Sequence, residues 1–124
     1  MNSGHRLNAI IRFLLEIGAL LTYANWGYSQ SEGLSRVLLA VGLPLLFAAI
    51  WGVFAVKGDP SRSGKTVVRT PGLIRLLLEL GLFTGAALML LDLEYMFLGW
   101  IFGGVVLVHY LVSHKRLAWL LKQK

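Results

Sequence analysis

Apolar residues gather in four long stretches, at about 7–28, 37–56, 72–91 and 95–113, each near the roughly 20 residues a helix needs to cross a bilayer. No stretch shows the period-two alternation of a transmembrane barrel strand. The links between the first and second stretches, and between the third and fourth, are short, so each pair is expected to form a helical hairpin. The predicted fold is all-α: an integral membrane four-helix bundle of two related hairpins, forming one domain over 1–124. A polar loop at 57–70 joins the hairpins, and a polar tail follows at 114–124. Arg12 and Glu16 interrupt the first stretch and no small-residue cleavage site follows it, so it is not read as a signal peptide.

Composition strengthens this picture. Hydrophobic residues make up 56% and charged residues 15%, against about 25% charged in a typical soluble domain. There is no cysteine, which excludes a disulfide framework, thiolate metal sites and thiol redox chemistry. The net charge of +6 would suggest nucleic acid as a partner in a soluble chain. Here the cations sit at the ends of the apolar runs and read as topology signals, so no nucleic acid is expected. The loop carries Lys57, Arg62, Lys65 and Arg69 against Asp59. Arg6 precedes the first span, and Lys115, Arg116, Lys122 and Lys124 follow the last. The opposite side holds Arg36 against Glu32, Asp92 and Glu94. The positive-inside rule then places both termini and the 57–70 loop in the cytoplasm. Trp119 lies in Leu117-Ala-Trp-Leu-Leu121, between basic clusters, a tail suited to rest on the anionic lipid of the inner leaflet.

The most informative motif is a repeat. Ile11-Arg-Phe-Leu-Leu-Glu-Ile-Gly18 matches Ile74-Arg-Leu-Leu-Leu-Glu-Leu-Gly81, once in each hairpin. Arg12 and Glu16, like Arg75 and Glu79, are four residues apart and share a helix face. Glu16 lies roughly 14 Å deep in a ~30 Å apolar layer. An ionised group there costs about 2.5–3.5 kcal/mol, which nearly offsets what the apolar residues of the first span contribute. The charges should therefore turn inward. The expected arrangement is a reciprocal clasp, Arg12 with Glu79 and Arg75 with Glu16, or each Arg bridging both carboxylates. A fixed structural clasp is favoured over a proton or ion site, since each acid has a basic neighbour.

Other features carry less. Gly81-x-x-x-Gly85, Gly99-x-x-x-Gly103 and the Gly18/Thr22 face suit close helix packing, and Pro44 should kink the second span. Tyr23, Trp26 and Arg36 could line a small outward pocket, but an interfacial aromatic belt is the preferred reading. His109 could carry protons but suits a packing role. His5, His109 and His114 lack a ligand spacing, so no metal is expected. Gly58-Asp-Pro-Ser-Arg-Ser-Gly-Lys-Thr66 has five residues where a phosphate loop has four, and no strand before it is predicted, so it reads as a flexible basic loop. No catalytic motif or cofactor signature is present, and no enzyme activity is expected.

Arg12-Phe-Leu-Leu-Glu16, Trp26-Gly27, Arg36, Pro44, Trp51-Gly-Val-Phe54 and Glu79 with Phe83, taken in order and spacing, resemble the YrdB-like family of small bacterial four-span proteins, a domain of unknown function. The family often has a proline-containing segment soon after the inner Trp-Gly-x-Phe; Lys57-Gly-Asp-Pro60 stands there in a longer basic loop. The resemblance implies a bacterial inner-membrane location and no particular activity. The expected function is a non-enzymatic structural or interaction module. The alternative is a small proton- or ion-coupled transporter or channel using Glu16 or Glu79, which at this size would be built as a homodimer.

Overall fold

The computed structural model describes residues 3–59 and 66–124, with side chains from residue 6 onward. The side chain of His5 and most of the phosphate-loop look-alike, with Arg62 and Lys65, lie outside the described residues. Among the described residues five helices form: α1 (Ser3–Ser29), α2 (Gly33–Val53), α3 (Gly72–Asp92), α4 (Met96–Val112) and α5 (His114–Leu121). Among the described residues the only departure from helix-and-turn structure is a two-residue parallel bridge. It pairs β1 (Phe54–Ala55) with β2 (Val68–Arg69), Phe54 opposite Val68 and Ala55 opposite Arg69.

The two hairpins form as expected. α1 packs most extensively on α2 and α3 on α4, and the α1–α3 seam joins them. Helices α1, α2 and α3 are each long and apolar enough to cross a membrane. α4 reaches that standard together with α5, from which it is bent by 70°. The start of α1, the end of α2, the start of α3 and α5 lie at one end of the bundle, called here the termini end. The α1–α2 and α3–α4 turns lie at the other. Pro44 sits inside α2, which continues to Val53.

Burial is distributed in the reverse of a water-soluble bundle. Leu34, Phe97 and Trp100 are each more than 70% exposed, while the largest wholly buried side chains include Arg75 and Glu79. A small aromatic core fills the space between. Tyr23 meets Phe47 edge-on at 5.1 Å, Phe47 stacks on Trp51 at 5.5 Å, and Trp51 meets Phe83 at 5.1 Å. Phe83 then meets Phe102 and Tyr110. One ring from α3 thereby joins α2 and α4 directly, in the edge-to-face geometry that aromatic quadrupoles favour, and α1 joins the chain through Tyr23 on Phe47.

Backbones approach closely where side chains are absent. A Cβ at Gly27 would lie 2.6 Å from the Leu39 carbonyl oxygen, and one at Gly99 2.6 Å from Leu91. Gly85 lies against the Tyr23 hydroxyl, whereas a Cβ at Gly81 would meet nothing, so only half of that motif serves packing. At Gly72 a Cβ would overlap the Leu120 carbonyl, and the Gly72 amide donates to the Gln123 carbonyl at 2.9 Å. The tail thus folds under the start of α3. The tail is therefore fixed to the bundle through one face of α5. Leu120 is fully buried in the bundle while Leu121 and Lys122 stay exposed, because only one face of α5 is apolar enough to pack.

The α3–α4 turn carries a local conflict. Glu94 has φ +66°, its amide donates to the Leu91 carbonyl, and the Tyr95 amide donates to the Leu90 carbonyl. This is a Schellman C-cap, whose left-handed position favours glycine. Glu94→Gly is expected to stabilise the protein by about 1 kcal/mol, because a side chain there costs roughly 1–2 kcal/mol before glycine's own entropy is counted. Thermal unfolding in detergent checks this; an unchanged or lower midpoint contradicts it.

Candidate functional site

The site assembles around Glu79. Its position on α3 faces α1, and its side chain is 0% exposed. Both carboxylate oxygens are saturated by hydrogen bonds. Oε2 accepts from Arg12 Nη2 at 2.8 Å, Arg75 Nε at 2.7 Å and Arg116 Nη2 at 2.9 Å. Oε1 accepts from the Tyr110 hydroxyl at 2.7 Å and Arg116 Nη1 at 3.1 Å. Four helices contribute to one carboxylate: α1 through Arg12, α3 through Arg75, α4 through Tyr110 and α5 through Arg116.

Each arginine is also held elsewhere. Arg116 grips Asp59 with two bonds, Nε to Oδ1 at 3.0 Å and Nη2 to Oδ2 at 2.6 Å. Burial works against the Arg116 charge, but its bonds to Asp59 and Glu79 outweigh that cost and raise its pKa above the ordinary guanidinium range. Arg75 Nη1 donates to the carbonyls of Trp51 at 2.6 Å and Phe54 at 2.8 Å, at the C-terminal end of α2 whose carbonyls lack helical partners. The Trp51 ring lies under two guanidinium groups, Arg12 at 5.0 Å and Arg75 at 4.6 Å from the centroid. Cations over an indole face are attracted by its quadrupole, more strongly when desolvated. With Glu16 at 3.6 Å from Arg12 the set holds three arginines against three carboxylates.

Half of the expected reciprocal clasp is present. Arg12 bridges both carboxylates, Glu79 closely and Glu16 loosely. Arg75 does not pair with Glu16 among the described residues; it turns back to its own helix neighbour Glu79 and to the α2 carbonyls. The reason is geometric. Arg75 stands at the first turn of α3 beside the open end of α2, where unpaired carbonyls compete for its donors. Glu16 keeps a side chain 24% exposed.

Tyr23, Trp26 and Arg36 are brought to separate tasks rather than to one pocket. The Tyr23 hydroxyl donates to the Leu82 carbonyl, and Trp26 Nε1 donates to Asp92 at 2.8 Å, linking α1 to α3 at the turn end. Arg36 caps the end of α1 through the carbonyls of Tyr28 and Ser31 and lies over the Tyr28 ring. His109 is buried edge-on to Tyr110, and its Nδ1 has no hydrogen-bond partner among the described residues.

Sequence reasoning missed Arg116, Asp59 and Tyr110. In the linear sequence Arg116 is one cation among several in the basic tail. The available signal was its spacing from Leu117 and Leu120, which puts all three on one side of a helix. Asp59 was the lone acid of a basic loop, and a solitary counter-charge beside a hydrophobic segment marks a buried partner.

Glu79→Gln is expected to destabilise the protein by about 3–5 kcal/mol, because it leaves three buried guanidinium groups short of a counter-charge. Glu16→Gln should cost no more than about 1 kcal/mol, since a loose and partly exposed pair contributes little. Unfolding midpoints of both variants against wild type test the contrast, and equal losses would contradict it. Tyr110→Phe should cost about 1–2 kcal/mol, the value of one buried bond to a charged acceptor, and a midpoint unchanged from wild type would remove Tyr110 from the cluster.

The chain is 35% identical over 123 residues to the "Uncharacterized protein YrdB" of Bacillus subtilis (strain 168), covering 99% of this chain and all of that relative. No solved structure matches. Residues 10–107, which hold both copies of the charged repeat and most of the aromatic core, match the family model described as "Protein of unknown function (DUF2568)". The chain therefore belongs to the DUF2568 family, as its resemblance to YrdB implied.

Proposed function

We propose that the protein is a four-span component of the bacterial cytoplasmic membrane, with both termini and the 57–70 segment in the cytoplasm, acting as a non-enzymatic structural or interaction module. The observation that carries this reading is Glu79: wholly buried, accepting from three arginines and a tyrosine, with its carboxylate lone pairs already occupied. Such a carboxylate is a fixed anchor. Two apolar grooves on the α1–α4 side are lined by neither Glu16 nor Glu79. The exposed belt of Leu, Val and Phe on all four long helices supports the lipid-facing assignment. The cationic residues of the tail and loop support its orientation.

A second reading is a proton-coupled transporter working through Glu16, as a dimer. Its support is that Glu16 is the one acid of the repeat left partly accessible, 3.6 Å from its nearest cation. Proton flux into proteoliposomes separates the two. The anchor reading expects flux equal to that of empty liposomes; flux that Glu16→Gln abolishes would establish the transporter instead.

The absence of cysteine makes orientation directly measurable. Ser31→Cys, in the α1–α2 turn, should react with a membrane-impermeant maleimide in intact spheroplasts. Lys122→Cys should react only after permeabilisation. The opposite pattern would invert the topology.

A further inference from the structure

The bundle is open along its α1–α4 side, where the two helices meet far less than the hairpin partners do. A groove of about 580 Å³ lies there at the termini end and continues into a hollow of about 390 Å³ toward Thr22 and Leu98. Its walls are apolar except at the termini end, where Asn8 and His109 line it. Asn8 is engaged, donating to the Ser113 hydroxyl at 2.7 Å. His109 is only 3% exposed, yet its Nδ1 has no partner among the described residues. A buried polar atom left unpaired is costly, and His109 lines the groove, so a ligand with an acceptor at this level would relieve that cost once the ring turns toward it.

The charge around the groove mouth indicates which ligand. Arg6 directly precedes the lining residue Leu7, and His114 and Lys115 follow the lining residue Val112. All three are exposed and join none of the ion pairs among the described residues. A second copy of the chain fits poorly, because a two-fold axis along the bundle would set these cations against their own copies. An anionic head group fits well. The span from Ile101 to Val112 is about 16 Å at the helical rise, close to the ~15 Å apolar depth of one leaflet.

We propose that this groove holds one acyl chain of an anionic glycerophospholipid of the cytoplasmic leaflet, its phosphate at Arg6 and Lys115 and its ester region at His109. In the Nδ1–H tautomer, His109 donates to an ester carbonyl oxygen. The inference rests on the membrane-spanning reading above and gives that module a lipid ligand.

The test is native mass spectrometry of the full chain released from nanodiscs of phosphatidylcholine containing phosphatidylglycerol. Wild type should retain one phosphatidylglycerol per chain in preference to phosphatidylcholine. The exposed-residue double variant Arg6→Gln/Lys115→Gln should weaken that retention about thirtyfold. Gly104→Leu fills the groove at a position where an added Cβ meets nothing within 4 Å. It should abolish retention while leaving the helical circular dichroism unchanged; if it fails to fold, the double variant decides. Equal retention of phosphatidylcholine, full retention in the double variant, a bound free fatty acid, or a lipid-free dimer would each overturn the proposal. Release of the protein from membranes by alkaline carbonate would instead overturn the membrane-spanning reading.

Discussion

A single carboxylate with no access to solvent, held by three guanidinium groups, is the constraint around which the rest of this bundle is arranged. Glu79 would be prohibitively costly alone in an apolar interior. Its compensation has to come from residues that are distant in sequence: Arg12 on α1, Arg116 on α5 and the Tyr110 hydroxyl on α4. Each of those bonds sets the rotation and height of a helix relative to α3. Arg75 extends the same constraint to α2 through the Trp51 and Phe54 carbonyls. A buried ion cluster of this kind is weak evidence for net stability, because desolvation opposes the Coulombic gain. Its stronger consequence is selective, since an arrangement that misplaces any of these helices strands a buried charge.

This matters more for a bundle with an apolar exterior than for a soluble one. When the surroundings are as apolar as leucine, burying leucine gives little drive for helices to associate. Specificity then rests on close backbone approach and polar contacts. Both devices are present at different heights. Gly27 against the Leu39 carbonyl and Gly99 against the Ala87 carbonyl bring backbones together within the hairpins toward the turn end. Near the termini end the charged cluster takes over, with the aromatic chain from Tyr23 to Phe102 between them.

Much of this was legible in the residues. The four apolar runs placed the four long helices, because hydrophobic length is a property of a segment by itself. The repeat placed Arg12 and Glu79 in one site, because two helices running the same way put equivalent positions at equal height. What was hidden depended on chain reversals that composition does not encode. The bridge between Phe54–Ala55 and Val68–Arg69 folds the loop back and carries Asp59 beneath the bundle. The bend at Ser113 swings Arg116 inward. In the linear sequence both residues sit among solvated charges, and only the folded path turns them into a pair 2.6 Å apart.

The two halves of the repeat also show how equal sequences acquire unequal roles. Glu79 and Glu16 occupy the same position in their motifs, and each has an arginine one helical turn away. Arg12 is drawn across the seam to Glu79 because a buried carboxylate gains more from a cation than a partly exposed one does, the surrounding dielectric being lower. That leaves Glu16 with a looser 3.6 Å contact to Arg12. Arg75 is not free to compensate, since the end of α2 presents carbonyls that need its donors. One copy of the motif therefore becomes the anchor and the other its accessible counterpart. The asymmetry arises from the docking of α2 and α5 around one member of the pair.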